Sequence, residues 1–98
     1  MALQITNNQG VFEIKGSLIN KNALSLEHHF RQLMNHKEKI VVSISKVKYI
    51  DTYGVRVLNN LCKNAMKSNK IFYVIGKDNK KIQEAFGKGS YILRNDFL

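Results

Sequence analysis

Proline and tryptophan are absent from these 98 residues, cysteine occurs once, and acidic side chains number only seven. Without proline, and without any low-complexity stretch, the chain offers no stiff linker and is expected to be ordered almost end to end. The lone thiol, Cys62, excludes an internal disulfide framework and a Cys-rich zinc site, each of which needs several thiols at set spacings. A reducing compartment fits that usage. No run approaches the ~18 apolar residues needed to cross a bilayer. The opening Met1-Ala2-Leu3-Gln4 lacks the basic-then-apolar order of a signal peptide. A cytoplasmic protein without membrane insertion is therefore expected.

What is present is enough for one compact domain over 1–98. With 44% hydrophobic residues, a chain of this size buries roughly two-thirds of its unfolded surface. Sixteen basic residues against seven acidic ones leave a formal charge of +9, which raises affinity for any polyanion. The lysines are scattered rather than gathered in one tail or helix face, so the pattern reads as a generally basic surface. Nucleic acid is not the expected partner.

Hydrophobic spacing divides the chain into elements. Residues 3–6 and 11–15 read as two strands around the turn-forming Asn7-Asn8-Gln9-Gly10, with Gly16 ending the second. From 22 to 36, Ala23, Leu26, Phe30 and Leu33 recur every three or four residues, the spacing of an amphipathic helix capped by Asn20 or Asn22. Residues 40–44 are an apolar, β-branched run suited to a strand covered on both sides, at the centre of the sheet. Beyond Gly54, Val57, Leu58, Leu61, Cys62 and Ala65 share one helical face, opposite Arg56, Asn60, Lys63 and Lys67, as far as Ser68-Asn69. Residues 71–75 read as another strand, 79–86 as a short helix and 90–98 as a last strand or tail. The order ββαβαβα predicts an α/β domain with a mixed sheet, because each strand-helix-strand passage joins parallel neighbours.

One segment is far more specific than these patterns. The stretch 40–58, IVVSISKVKYIDTYGVRVL, resembles the STAS family of sulfate transporters and anti-sigma-factor antagonists. In that family an apolar strand leads through Val-x-Phe/Tyr-Ile-Asp to two small hydroxyl residues and a glycine at a helix start. Phe12-Glu13-Ile14-Lys15-Gly16-Ser17-Leu18 and Lys70-Ile71-Phe72-Tyr73-Val74-Ile75-Gly76 resemble its second strand and the strand after the loop, so the likeness covers about residues 3–86. It implies a stand-alone, non-catalytic regulator of the anti-sigma-factor-antagonist type. The implied partner is an anti-sigma factor with a kinase-like ATP-binding fold, reached through Asp51, Thr52, Tyr53, Gly54 and Arg56.

Elementary chemistry gives the same loop a role. Gly54 permits close backbone approach, and the free N–H groups of a helix start favour negative charge. A phosphate there changes local charge by about 1.5 to 2 units, enough to make or break a partner contact. In the family the residue before the glycine is the phosphorylated hydroxyl; here that position is Tyr53, and Thr52 one place earlier is the remaining hydroxyl of the motif. Thr52 is expected to cap the helix or to take the phosphate. Tyr53 is expected to be a partner contact or itself a phosphorylation site, and Asp51 the motif's acid or an N-terminal cap. Ser43 departs from the pattern as well, where the family often has Asp.

The remaining reactive residues read as inert. His28, His29 and His36 lack the four-residue spacing that would bring two imidazoles onto one metal, so no metal and no cofactor is expected. Cys62 lies on an apolar stripe, as a buried thiol does. No nucleophile-base constellation or phosphate-cradling loop is present, and 76–81 lacks the second glycine of a P-loop, so catalysis is not expected. Two other functions compete: a STAS subunit of a membrane, for example lipid, transport ATPase complex, which needs no phosphorylation, and polyanion binding by the basic surface.

Overall fold

The computed structural model describes residues 3–76 and 93–94. Strands β1 (Gln4–Asn8) and β2 (Val11–Leu18) open the fold, followed by helix α1 (Asn20–Met34), strand β3 (Lys39–Ile50), helix α2 (Thr52–Lys67), strand β4 (Ile71–Ile75) and strand β5 (Leu93–Arg94). The five strands form one sheet in sequence order, β1-β2-β3-β4-β5, with β3 in the middle as its apolar run requires. The β1-β2 pair is antiparallel; β2-β3, β3-β4 and β4-β5 are parallel. The expected mixed α/β sheet is thus present. The helix expected over 79–86 lies outside the described residues, as do 90–92 and 95–98.

The hairpin is tighter than its turn composition suggests. Asn8 pairs with Val11, leaving only Gln9 and Gly10 in the loop. Both have positive φ, 54° and 89°, the combination that matches the right-handed twist of the flanking strands. Asn7 Oδ1 accepts the Gly10 N–H at 3.0 Å and holds the turn.

Gly16 does not end β2. Its φ of +103° coincides with register shifts against β3 between Glu13 and Lys15 and between Gly16 and Ser17. The residue is therefore the flexible point of an irregular ladder, and β2 continues to Leu18. This continuation also explains why β3 reaches Ile50 rather than stopping at Ile44: Ser17 pairs with Tyr49 and Leu18 with Ile50. Both strands consequently end beside one another, immediately before the two helices begin.

The helices share one face of the sheet, where their apolar stripes meet Phe12, Ile14, Ile40, Val42, Ile44, Phe72 and Val74. Phe30 of α1 stands at the middle of this layer with its ring edge-on to Phe12 (5.5 Å) and Phe72 (5.8 Å). The buried stripe of α1 is Ala23, Leu26, Phe30 and Met34, with Leu33 half-buried at its margin. That of α2 is Val57, Leu58, Leu61, Cys62 and Ala65, as its spacing predicts. On the opposite face of β3, Val41 is only 4% exposed, flanked by Val11 and Tyr73 of the neighbouring strands.

The start of α1 departs from expectation. Neither Asn20 nor Asn22 is the cap: Ile19 occupies that position without a side-chain hydrogen bond. Asn20 takes the left-handed conformation, φ 49°, which asparagine tolerates better than most residues. Asn22 instead donates from Nδ2 to the Ser17 carbonyl at 3.1 Å, tying the helix back to the end of β2.

Candidate functional site

The loop singled out by the sequence lies where β2 and β3 end and α1 and α2 begin. Parallel pairing puts Leu18 beside Ile50, so Asn20, two residues past β2, and Asp51, the residue after β3, become neighbours although 31 positions separate them. Asp51 has extended backbone, φ −108° and ψ 179°, and is the cap of α2. Its Oδ1 accepts the Gly54 N–H at 2.7 Å, and its Oδ2 accepts the Asn20 N–H at 3.4 Å. One carboxylate thereby satisfies an amide at the start of α2 and another at the start of α1. The cap expected of Thr52 belongs to Asp51, because only Asp51 has the extended backbone that turns a side-chain oxygen back onto the first helical turn.

Gly54 is buried against the end of β2. A Cβ there would overlap the Leu18 carbonyl oxygen and lie 2.9 Å from Ile50 Cγ1. The glycine is needed for this close approach of helix to strand, a steric requirement independent of any ligand.

Asp51 and Gly54 thus build the loop, whereas Thr52, Tyr53 and Arg56 are left facing solvent. Thr52 is the first helical residue and its side chain is exposed. Tyr53 is 36% exposed. Arg56, one turn on, is also exposed, and the Val55 N–H returns to the Asp51 carbonyl at 3.1 Å to close the first turn. The five residues named by the sequence therefore divide into two that hold the backbone and three that present side chains.

Sequence reasoning passed over Tyr49 as a surface residue. It lies at the end of β3, two residues before Asp51, and is the most exposed aromatic among the described residues at 57%. Period-two alternation from buried Val47 would turn Tyr49 inward; the register shift that pairs Gly16 with Val47 but Ser17 with Tyr49 turns it out instead, so no local pattern marked it.

Cys62 is buried, as its place on the apolar stripe of α2 predicts. Burial pushes the Cys62 thiol up to about 11, and Sγ lies 3.7 Å from the Phe72 carbonyl oxygen; the thiolate needed for nucleophilic attack is thereby suppressed. His28, His29 and His36 are exposed. Among the described residues no three His, Cys, Asp or Glu side chains converge as a metal site, and no helix is long and apolar enough to cross a membrane.

The arrangement defines a small α/β domain with a pinned loop, its candidate site, at the joint ends of two parallel strands. The chain belongs to the STAS domain family, whose profile matches residues 1–84. Among solved structures it is similar to an anti-sigma factor antagonist from Mycobacterium paratuberculosis, with a TM-score of 0.68 at 17% identity over 98% of this chain and 86% of that one. It is likewise similar to the anti-sigma factor antagonist SpoIIAA in its unphosphorylated form, with a TM-score of 0.65 at 12% identity over 98% of this chain and 90% of that one. At such identities the likeness is one of fold. No curated protein matches in sequence.

Proposed function

We propose that this protein is a non-catalytic regulatory module that binds a protein partner through the first turn of α2, with Tyr53 and Arg56 as contacts. The partner is an anti-sigma factor with a kinase-like ATP-binding fold. The observation that carries this reading is the division of labour in the loop: Asp51 and Gly54 fix the backbone, so Thr52, Tyr53 and Arg56 are offered on a rigid mount. Pre-organisation of this kind lowers the ordering cost of binding, and Tyr and Arg are the residue types that most often dominate interface energy. Both similar folds are anti-sigma factor antagonists, which supports the choice of partner. A phosphate on exposed Thr52 or on Tyr53 would add about 1.5 to 2 negative charges at the mount and release an acid-facing partner.

A second reading rests on one observation, that Tyr53 stands where the family places its phosphorylated hydroxyl. A constitutive subunit of a transport ATPase complex would use the same turn as a permanent contact.

Affinity capture with tagged wild-type and Tyr53→Ala protein, read by mass spectrometry, separates these readings. Recovery of a kinase-like anti-sigma factor by the wild type, weakened about tenfold or more by Tyr53→Ala, is the expected result. Recovery of transport ATPase subunits with an unmodified loop would install the second reading. Undiminished affinity of a folded Tyr53→Ala protein would remove the loop from the interface.

A further inference from the structure

The opposite end of the two helices holds a cleft that the loop does not explain. It has a volume of about 430 Å³ and is lined by Arg31, Gln32, Met34 and Asn35 at the end of α1 and by Asn64, Lys67, Ser68 and Lys70 at the end of α2. That size lies within the range of small-molecule sites. Three of the lining side chains are cations, four others carry amide or hydroxyl groups, and none is a carboxylate.

The ordinary reason for cations at a helix C-terminus is to cover its free carbonyls. Five of those carbonyls, of Gln32, Leu33, Asn64, Ala65 and Met66, are already served by backbone amides. In α2, Ser68 N donates to the Asn64 and Ala65 oxygens, Asn69 N to Met66 O at 3.2 Å and Lys70 N to Ala65 O at 2.7 Å. In α1, Asn35 N donates to Gln32 O, while His36 N and Lys37 N both donate to Leu33 O. Lys67 and Lys70 form no salt bridge among the described residues. Arg31 shares one nitrogen with Glu27 Oε2 at 3.3 Å, and a guanidinium has further donors to give.

From these observations we propose that the cleft is a binding site for a small, multiply charged phosphate anion, held by Arg31, Lys67 and Lys70. A planar guanidinium and two ammonium groups supply charge, and Asn35, Asn64 and Ser68 supply neutral donors to an anion with many oxygens. A nucleic-acid strand fits the cleft less well, since a backbone track needs cations extended along a surface rather than gathered over one concavity. The 16 residues of α2, at ~1.5 Å rise each, place the cleft about 24 Å from the Asp51 loop. The site is therefore separate from the proposed docking turn and stands or falls independently of it.

Inorganic pyrophosphate is the probe, titrated into the full chain at constant ionic strength and followed by amide chemical shifts. The expected result is saturable binding in the low-millimolar range or tighter, with shifts centred on Asn35, Ser68, Asn69 and Lys70. The double variant Lys67→Gln/Lys70→Gln weakens it about tenfold or more. Lys15→Gln/Lys48→Gln, which removes the same charge from exposed strand positions, leaves it within about twofold. Equal weakening by both variants, or no saturable binding to folded wild type, overturns the proposal. So does tighter binding of a single-stranded oligonucleotide that shifts amides across the whole basic surface.

Discussion

Asp51 and Gly54 carry structural duties that make their substitution different in kind from that of Thr52. In a helix, glycine to alanine ordinarily gains up to about 1 kcal/mol in propensity. At position 54 the added methyl meets a carbonyl oxygen of Leu18, a backbone atom that no rotamer change removes. Overpacking of that sort costs about 1–3 kcal/mol, so Gly54→Ala is expected to be net destabilising. Asp51→Ala, which frees the Gly54 and Asn20 amides, is expected to cost about 0.5–2 kcal/mol. Thr52→Ala, an exposed residue that caps nothing, is expected to fall within about 0.5 kcal/mol of wild type. Urea denaturation of the three variants checks the order, and a loss for Thr52→Ala as large as for Asp51→Ala would return the cap to the threonine.

At the scale of elements, the ends are where local chemistry and the fold cooperate. Helix α2 closes with Asn69 in the left-handed region, φ 58°, and with Asn69 N and Lys70 N reaching back to Met66 and Ala65. This six-residue wrap stops the helix and aims the chain at β4, where Ile71 N donates to Glu38 O at 2.8 Å. Asn69→Gly should keep stability within about 0.5 kcal/mol of wild type or raise it, whereas Asn69→Val should cost about 1–2 kcal/mol, because a β-branched side chain resists positive φ. Thermal melts of the pair would show the difference as separate midpoints. Equal midpoints would mean that the wrap is held by tertiary packing instead of by its own backbone.

The whole molecule carries +9 with two salt bridges among the described residues, Arg31–Glu27 and Lys46–Glu13. Lys46 and Asn8 hold the Glu13 carboxyl below its ordinary range by hydrogen bonding, yet a single exposed pair does little against so many like charges. Net repulsion in the compact state is expected to dominate. Raising sodium chloride from about 20 to about 200 mM should therefore stabilise the protein, by on the order of 1 kcal/mol, because screening relieves repulsion more than it weakens two pairs. A urea midpoint that falls with salt would show that attraction between opposite charges outweighs the repulsion.

Much of this was legible in the residues themselves. Period-two and period-3.6 spacing marks Phe12, Ile14, Phe30, Leu58 and Leu61 as core positions, because burial of one face is a local pattern written in consecutive side chains. The loop was legible too, since a glycine after an acid and a hydroxyl at a helix start is a short motif. Other features required the fold. The continuation of β2 through Gly16 follows from pairing with a strand some thirty residues away, and no local signal separates a bulge from an end. The cap fell to Asp51 instead of Thr52 because its backbone is extended by the close of β3 and its carboxylate also reaches Asn20, a neighbour only in space. Composition and periodicity determined the class of fold, and a short motif marked the loop; the tertiary structure decided which loop residues hold the backbone and which stay exposed, because side-chain roles at a loop depend on contacts between segments distant in the chain.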